Sequence, residues 1–408
     1  MLKPRPSEAS GEVGSAGIAR TRNVDLPWAL PLDSGDVLTS VTIAYETYGT
    51  LSAERDNVVL ICHALSADAH AAGWSEERDA PSAVDGVGAE ERGIQPRGGL
   101  GWWDPLIGPR KAFDTDRYYV ICTNLIGSCR GSTGPASINP ATHRPYGTDF
   151  PVITVGDMVR AQKAFLDVVG IDRLLTVAGG SLGGMQALEW SIAYPHAVRS
   201  VITTASTAHL ASQGVAWNAI ARNAIMADPD WQNGHYHGTG KSPLAGLGIA
   251  RMVGHVTYLS ALAMDEKFGR RLQDRDDISF TLTEADFAVE SYLRHQATTF
   301  GSRFDANSYL YLSRALTYFD LARERGGGTL ETAFLGAQAR YLLISFSSDW
   351  LYPTRDSAEL YRALLAAGKG VEHHEIDTAY GHDSFLLEDK YQPELIAGFL
   401  RDVYARPR

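Results

Sequence analysis

A short strand that turns directly into a helix at a serine constrains this chain more than any other feature. Residues 174–188 read as an apolar strand, a Gly-x-Ser-x-Gly turn centred on Ser181, and then an apolar helix. The turn is so tight that the residues two before and two after the serine cannot carry a β-carbon without a clash, which explains Gly179 and Gly183. The sequence therefore predicts that Ser181 is a nucleophile exposed at the C-terminal edge of a sheet.

Two backbone amides are candidates for binding the negative charge that develops on a carbonyl oxygen under attack. The helix that follows Ser181 points its free N–H groups at the serine, so the amide of Leu182 can donate to such an oxyanion. A second donor is expected from the loop after an earlier strand of the same sheet. That loop begins at His63, and we predict that the backbone N–H of Leu65 is the donor, with His63 in a structural role.

A serine hydroxyl is a poor nucleophile at neutral pH, so a carboxylate and a histidine base are expected further along the chain, in that order. Asp349 comes just after the predicted strand at residues 341–346. His382 lies in the loop after the last predicted strand, at residues 371–376. The sequence thus predicts a catalytic relay of Ser181, Asp349 and His382.

Other acidic residues and histidines are weaker candidates. Asp356 is predicted to open the helix after Asp349, and Asp377 is predicted to end a strand. The remaining candidate bases are interpreted as surface or core residues because none of them lies in a terminal loop after a strand: His63, His143, His255, His295, His373 and His374.

The rest of the chain alternates between strand and helix signals. Apolar or alternating runs predict strands at residues 41–48, 58–62, 118–123, 174–178, 198–205, 341–346 and 371–376. Helical periodicity between several of them, notably at residues 155–169 and 184–194, predicts a mostly parallel sheet with helices on both faces. Together with the turn at Ser181, this alternation indicates an α/β protein with the α/β-hydrolase fold.

One long segment interrupts the alternation. Between about residues 209 and 324 the strand signal disappears and the chain reads as helices with apolar faces, formed by Ile249, Met252, Val253 and Val256 in one case and by Tyr309, Leu312, Leu316 and Phe319 in another. We predict a flexible N-terminal arm at residues 1–22, a core at residues 23–205 and 336–408, and an inserted helical lid at residues 206–335. The charged, Gly-rich stretch at residues 79–101 is predicted to be a surface loop.

The composition narrows the class of partner. The formal net charge is −11, and there is no basic block, which argues against nucleic acid and anionic membranes. No run of about 18 apolar residues and no secretory signal is found, so we expect a cytoplasmic protein. The three cysteines are interpreted as packing residues, and no Cys/His cluster has the spacing of a metal site.

The chain resembles the homoserine O-acetyltransferase family, acyltransferases of methionine synthesis that have the α/β-hydrolase fold. The motifs that carry the resemblance span about residues 40 to 390: His63-Ala64-Leu65-Ser66, Gly101-Trp102-Trp103-Asp104, Gly131-Ser132-Thr133-Gly134-Pro135, Ala178 to Gln186, Arg251-Met252-Val253-Gly254-His255 and Gly381-His382-Asp383-Ser384-Phe385. Leu182 is a departure, because the family commonly has Met after the serine. A backbone donor is unaffected by that change.

The resemblance implies a two-step reaction. Ser181 takes an acetyl group from acetyl-CoA, which is a cosubstrate and not a permanently bound cofactor, and L-homoserine then accepts it in the first committed step toward methionine. By position, Arg222 matches the arginine that grips the substrate carboxylate, and Asp383 matches the acid that holds its ammonium group. A zwitterionic acceptor needs such a pair of fixed charges. The resemblance also implies a homodimer assembled through the lid helices.

Alternatives stay open at this point. The donor could be succinyl-CoA, which would favour a cation in the acyl pocket, and the acceptor could be serine. A carboxylic ester hydrolase would use the same three residues with water as the acceptor. A non-enzymatic binding protein is disfavoured, because the nucleophile, acid and base are all present.

Overall fold

An eight-stranded sheet lies at the centre of the molecule. The computed structural model describes residues 14–75, 99–387 and 390–406. The strands of this sheet are β1 (Arg22–Asp25), β2 (Thr42–Tyr48), β3 (Val58–Cys62), β4 (Tyr119–Thr123), β5 (Thr176–Gly180), β6 (Ser200–Thr204), β7 (Arg340–Phe346) and β8 (Val371–Ile376). Their order across the sheet is β1-β2-β4-β3-β5-β6-β7-β8, and of these eight only β2 runs against its neighbours. The predicted mostly parallel sheet is confirmed.

The helices of the described chain flank this sheet or lie between β6 and β7. They are α1 (Val155–Val168), α2 (Leu182–Ala193), α3 (Ser212–Ala227), α4 (Leu244–Tyr258), α5 (Ala261–Lys267), α6 (Ala288–Gly301), α7 (Ala306–Tyr318), α8 (Leu321–Glu324), α9 (Leu330–Phe334), α10 (Thr354–Ala366) and α11 (Tyr391–Ala405). Short 3-10 helices occur at Gly147–Asp149, Pro229–Gly234 and Gly381–Leu386. Within the described residues no single helix is long and apolar enough to cross a membrane, and one bent pair, α4 with α5, meets that test only by length and composition.

The central strands are buried on both sides because helices cover both faces of the sheet. Every residue of β3, β5 and β6 is buried. One core cluster joins the sheet to α1, α2 and α10, and a second joins its other face to α11. A parallel sheet buried in this way needs continuous apolar strands, which is the pattern that the sequence shows.

The segment between β6 and β7 is helical, as expected for the predicted lid. Residues 205–339 are all described and contain α3 to α9 but no strand of the main sheet. Helix α3 packs against α4 and α7, and α4 packs against α6. The predicted apolar face of α7 is buried, whereas on α4 Ile249 and Val256 are 48% and 37% exposed. The face of α4 that contains them therefore points outward.

The N-terminal boundary of the fold differs from the prediction. Ile18–Ala19 pairs in parallel with Trp74–Ser75, and Arg22 is already the first residue of β1. The described part of the predicted arm, residues 14–22, is thus joined to the core by strand pairing; residues 1–13 lie outside the described residues. Pairs of two to four residues carry no measurable periodicity, which is why the sequence did not reveal them.

Smaller differences concern element ends and local pairs. Strand β5 continues through Gly179 and Gly180, and α2 begins at Leu182 instead of Gly184, because pairing with β3 and β6 extends to the turn itself. Most of the predicted loop at residues 79–101 lies outside the described residues. Further two-residue strands pair Leu30–Pro31 with Val37–Leu38, Ile107–Gly108 with Phe113–Asp114, and Ile138–Asn139 with Arg144–Pro145.

Candidate active site

The turn between β5 and α2 holds Ser181 in a backbone conformation that non-glycine residues rarely adopt. Ser181 has φ 57° and ψ −123°, and its amide donates to the carbonyl oxygen of Thr204 on the neighbouring strand β6 at 3.0 Å. A β-carbon at Gly179 would lie 2.4 Å from the backbone of Gly183, and one at Gly183 would lie 2.0 Å from the carbonyl oxygen of Cys62. The steric reason predicted for these two glycines is confirmed.

Ser181, His382 and Asp349 form a hydrogen-bonded chain. The Nε2 atom of His382 lies 2.9 Å from Ser181 Oγ, and its Nδ1 lies 2.8 Å from Asp349 Oδ2. Because Nδ1 faces a carboxylate, that nitrogen donates its proton and Nε2 is left to accept the serine hydroxyl. The structure therefore brings together the three residues that the sequence analysis selected.

Asp349 is oriented by the loop that follows β7. Its second oxygen, Oδ1, accepts the backbone N–H groups of Leu351 at 3.0 Å and of Tyr352 at 2.9 Å. The alternative acids lie elsewhere: Asp356 is in the first turn of α10, and Asp377 accepts the hydroxyl of Ser347.

His382 lies in the 3-10 turn after β8, pressed against the end of lid helix α4. Gly381 has φ +74°, and a β-carbon there would lie 2.6 Å from both the amide nitrogen of Ser260 and the carbonyl oxygen of Tyr258. The Ser260 hydroxyl donates to the carbonyl of Ala379 in the same loop. This close approach joins the lid to the loop that carries the histidine.

The charges around His382 favour its protonated form. Burial alone would lower the pKa of His382, but the charge and hydrogen bond of Asp349, with a further contribution from the charge of Asp383, raise the pKa above its ordinary value of 6.5. His382 as a whole residue is 2% exposed. An imidazole whose protonated form is stabilised in this way can take a proton from a hydroxyl and return it to a leaving group.

The two residues whose amides are predicted to bind the oxyanion, Leu65 and Leu182, both lie close to Ser181. Leu182 is the first residue of α2, so its N–H has no acceptor within the helix. Leu65 lines both cavities that meet at Ser181. His63 is buried in the loop, with Nδ1 2.8 Å from the carbonyl oxygen of Ala64 and Nε2 accepting the Leu125 amide at 3.2 Å, which fits the predicted structural role.

Ser181 is shared by two cavities beneath the lid. The smaller cavity, of about 50 Å³, includes Trp217, Asn218, Tyr309 and Tyr352 in its lining. The larger cavity, of about 130 Å³, is lined among others by Trp102, Arg251, His382 and Asp383. The serine hydroxyl can thus be approached from two directions.

The two predicted substrate-binding residues differ in their access to these cavities. Asp383 lines the larger cavity, and burial raises the pKa of its carboxyl against the lowering effect of His382 and Arg251. Arg222 is 5% exposed and lines neither cavity; its Nη1 donates to the carbonyl of Ser313 at 3.1 Å and to Thr317 Oγ1 at 3.0 Å. It lies one helical turn beyond Asn218, which does line the smaller cavity.

Among the residues that the structure describes, the partners of Arg222 are Ser313 and Thr317, and no acidic side chain pairs with it. Burial and the nearby charge of Arg314 lower the pKa of Arg222. A buried guanidinium without a carboxylate partner is a favourable binding group for an anion.

Sequence reasoning missed two groups at the site. The ring of Tyr352 lies 5.0 Å from that of His382, and the Tyr258 ring lies 5.9 Å from it. Tyr352 comes three residues after Asp349, a spacing that could have indicated it. Tyr258 could be placed only by the packing of α4 on the core.

The described residues contain no group of three His, Cys, Asp or Glu side chains that could hold a metal ion. The thiols of Cys62, Cys122 and Cys129 are free and buried, and burial raises the pKa of each. Their surroundings are those of packing residues.

Comparison with known proteins identifies the fold and the family of this chain. Residues 57–389 match the family model of the alpha/beta hydrolase fold. The chain is 51% identical over 371 residues to a homoserine O-acetyltransferase of Solidesulfovibrio magneticus, covering 91% of this chain and 89% of that one. Among solved structures, the homoserine O-acetyltransferase of Bacillus anthracis matches with TM-score 0.81 and 30% identity over 95% of this chain and 98% of that one.

Esterase E22 matches equally well in structure, with TM-score 0.81 and 30% identity over 94% of this chain and 100% of that one. The fold of this chain is therefore shared by a homoserine O-acetyltransferase and an esterase. The higher identity, extending over nine-tenths of the chain, is to the acetyltransferase. This chain belongs to the homoserine O-acetyltransferase family of α/β-hydrolase-fold proteins.

Proposed function

We propose that the protein transfers an acetyl group from acetyl-CoA to the hydroxyl of L-homoserine, with Ser181 as nucleophile, His382 as base and Asp349 as the group that orients the base. The observation that carries the proposal is the hydrogen-bonded chain of these residues at the junction of two cavities, in a chain of this family. The product, O-acetylhomoserine, is the first committed intermediate toward methionine.

In the first half-reaction, His382 takes the proton of the Ser181 hydroxyl as Oγ attacks the thioester carbonyl. The N–H groups of Leu65 and Leu182 donate to the oxyanion of the tetrahedral intermediate. Collapse of the intermediate breaks the C–S bond, His382 protonates the departing thiolate, and acetyl-Ser181 and free CoA result.

In the second half-reaction the acceptor hydroxyl replaces the thiol. His382 takes its proton, the oxygen attacks the acetyl carbonyl, and the same two amides hold the oxyanion. The bond from the carbonyl carbon to Ser181 Oγ then breaks, and His382 returns the proton to the serine. Water could follow the same route, so transfer depends on holding the acceptor hydroxyl in position.

The acceptor is held by its two charges. Asp383 binds the ammonium group and Arg222 the carboxylate. Asp383 is adjacent to the base and lines the cavity, which supports its role directly. Arg222 is buried without an acidic partner among the described residues, one helical turn from Asn218, which lines the smaller cavity; in our proposal it binds the acceptor carboxylate.

The lining of the smaller cavity favours acetyl over succinyl. Its apolar members include Leu210, Leu316 and Leu351, and no lysine or arginine is among the described residues that line it. A succinyl carboxylate extending from Ser181 would be buried there without a counter-charge, which is costly. Arg222 does not line the smaller cavity, and in our proposal it binds the acceptor carboxylate. It is therefore not the counter-charge for a succinyl group.

A homodimer through the lid helices is part of the same proposal. Helices α4 and α6 border an open groove lined by Leu244, Ile249 and Met252 on one side and Ala297 on the other. Leu244 and Ile249 are about half exposed, as expected of residues that a second copy would cover. An Ile249→Glu variant that keeps the molar mass of the wild type in solution would contradict this interface.

We also propose a cytoplasmic location. It fits the three reduced, buried thiols, because disulfides are uncommon in that compartment.

One assay tests the function. The enzyme is incubated with acetyl-CoA or succinyl-CoA, and with homoserine, serine or no acceptor, while thiol release is followed and the product is identified by mass spectrometry. We expect rapid turnover only with acetyl-CoA and homoserine together. The Ser181→Ala variant is the control, and we expect it to form neither acyl-enzyme nor product.

Each other result has a definite meaning. Sustained CoA release without an amino acid would identify a hydrolase, in line with the likeness to esterase E22. Preference for serine or for succinyl-CoA would change the substrate while leaving the relay in place. Substantial turnover by Ser181→Ala would overturn the assignment of the nucleophile.

A further inference from the structure

Tyr352, in the loop after β7, has no part in the reaction steps proposed above. It is 4% exposed and lines the smaller cavity together with Ser181. Its backbone N–H donates to Asp349 Oδ1 at 2.9 Å, and its ring is nearly perpendicular to the imidazole of His382, with the centroids 5.0 Å apart. Its hydroxyl is hydrogen-bonded to the side chain of Ser181. A single residue therefore contacts the acid, the base and the nucleophile.

The direction of the bond between the two hydroxyls follows from their surroundings. Ser181 donates its proton to Nε2 of His382, so its oxygen is left to accept from Tyr352. Burial, with smaller contributions from Tyr258 and the charge of Asp349, raises the pKa of the Tyr352 hydroxyl far above its ordinary value of 10.0, so the phenol keeps its proton. Oγ of Ser181 thus lies between an accepting nitrogen and a donating hydroxyl.

The hydroxyl of Tyr352 is held in place before any substrate binds. The amides of Leu351 and Tyr352 both donate to Asp349 Oδ1, at 3.0 and 2.9 Å, which fixes the backbone at the base of the side chain. The ring packs against His382, which restricts the side-chain torsions. A donor fixed in this way stabilises developing charge without a further cost of reorganisation.

A hydrogen bond to Oγ affects the two half-reactions unequally. In the free enzyme the serine oxygen is a good acceptor, so the bond to Tyr352 already exists before attack on the thioester and changes the barrier little. In the acetyl-enzyme the same atom is the single-bonded oxygen of an ester, which is a weak acceptor because its lone pair is delocalised into the carbonyl. Only interactions that are stronger in the transition state than in the ground state accelerate a step.

The hydrogen bond becomes strong when the second tetrahedral intermediate collapses. The bond between the carbonyl carbon and Oγ breaks, its electron pair returns to Oγ, and negative charge develops there. His382 supplies the proton that Ser181 regains. Tyr352 keeps its own proton throughout and donates a hydrogen bond that strengthens as the charge on Oγ grows.

We propose that Tyr352 is a catalytic residue for deacylation: its hydroxyl stabilises Oγ of Ser181 as this oxygen leaves the acetyl carbonyl carbon. This inference rests on the acyl-serine intermediate of the proposed function. It goes beyond that function, because it assigns a donor to the leaving oxygen, whereas the amides of Leu65 and Leu182 bind the carbonyl oxygen. The role is independent of which molecule accepts the acetyl group.

The test compares Tyr352→Phe, which removes the hydroxyl and keeps the ring, with wild type. Tyr341→Phe is the matched control. Tyr341 is also a buried tyrosine whose hydroxyl donates to a serine, Ser191 Oγ, at 2.9 Å, but it lines neither cavity at Ser181. Thermal unfolding shows that each variant is folded before its kinetics are measured.

Acylation and deacylation are measured separately. Rapid mixing with p-nitrophenyl acetate gives the acylation rate from the burst of p-nitrophenol. After the excess ester is removed, mass spectrometry of the intact protein follows the loss of the acetyl group from Ser181, in water alone and with homoserine. Steady-state kinetics with acetyl-CoA and homoserine then gives kcat/KM for each substrate, and in a two-step reaction of this kind these values report acylation and deacylation respectively.

For Tyr352→Phe we expect the decay of the acetyl-enzyme to slow about tenfold, both in water and with homoserine, because a hydrogen bond to a developing charge is lost. The value of kcat/KM for homoserine should fall by the same factor. The burst rate and kcat/KM for acetyl-CoA should stay close to wild type, so acetyl-Ser181 accumulates during turnover. Tyr341→Phe should match wild type in every measurement.

Three results would overturn the proposal. An equal loss of acylation and deacylation would show that Tyr352 only supports the relay. Slower decay with homoserine but not in water would show that it acts on the acceptor. Faster decay in water would show that its hydroxyl only excludes water from Ser181.

Failure of the proposed function would be seen separately. It would appear in wild-type protein that p-nitrophenyl acetate acetylates but acetyl-CoA does not, or in an acetyl-enzyme that does not transfer its acetyl group to homoserine. The decay of that acetyl-enzyme in water would still decide the role of Tyr352.

Discussion

Gly183 on helix α2 packs against the carbonyl oxygen of Cys62 so closely that a β-carbon would lie 2.0 Å from that oxygen. This contact joins the helix that follows Ser181 to the end of β3, where the loop that contains Leu65 begins. The turn at Ser181 therefore depends on the absence of a side chain two residues away.

The Gly183→Ala variant should consequently lose stability and activity together. Overpacking of a rigid backbone contact costs about 1–3 kcal/mol in the free energy of unfolding, and displacement of α2 moves the amide of Leu182. Denaturant unfolding and steady-state kinetics measure the two effects. Gly398→Ala in α11 is the control, because nothing lies within 4 Å of its added β-carbon. Wild-type stability and activity in Gly183→Ala would contradict the steric argument.

Replacing Asp349 with Asn should leave the fold intact and reduce kcat by about 10³- to 10⁴-fold, since an amide no longer holds the imidazole of His382 in the required tautomer. The matched variant is Asp377→Asn, in the loop after β8, where the carboxylate accepts a hydrogen bond from the hydroxyl of Ser347 at 2.7 Å. We expect its kcat to stay close to wild type. An equal loss in both variants would argue against Asp349 as the orienting acid.

The rate of the first half-reaction should fall as the pH is lowered, because His382 must be neutral to accept the proton of Ser181. Asp349 and Asp383 raise the pKa of His382, so the loss should begin above the ordinary value of 6.5. Single-turnover CoA release across the pH range measures this. In Asp349→Asn the residual activity should persist to lower pH, because the largest raising effect has been removed. A wild-type rate that stays constant well below pH 6.5 would be inconsistent with this electrostatic balance.

Arg222→Ala should impair use of the acceptor while leaving acyl-enzyme formation nearly intact. Loss of one charge-assisted contact of about 1.5–3 kcal/mol corresponds to an increase of about 10- to 150-fold in the KM for homoserine. Arg314→Ala is the comparison, because Arg314 is the neighbouring lid arginine, stacked 5.6 Å from the Tyr318 ring. Equal damage to both half-reactions in Arg222→Ala would show that Arg222 supports the lid and not the substrate.

Local patterns in the chain were sufficient to predict seven of the eight strands of the sheet, all except β1 (Arg22–Asp25), and the turn at Ser181. They also predicted the chain order of Ser181, Asp349 and His382. Alternating or continuous apolar residues indicate which faces of a strand are buried. Glycines at positions where a β-carbon would clash, as in the turn at Ser181, can be recognised from the sequence motif alone. The short pair between Ile18–Ala19 and Trp74–Ser75 escaped detection because two residues carry no period.

Only the tertiary structure decided what meets at the site. His382 is 201 residues from Ser181 along the chain, and no local pattern sets the distance between them. The same holds for Arg251, which lines the cavity of Asp383 because α4 packs on α6 and on the loop after β8. It also holds for Arg222, which lines neither of the two cavities at Ser181. Sequence patterns record the short-range requirements of backbone and burial, whereas contacts between distant segments depend on how whole helices pack against the sheet.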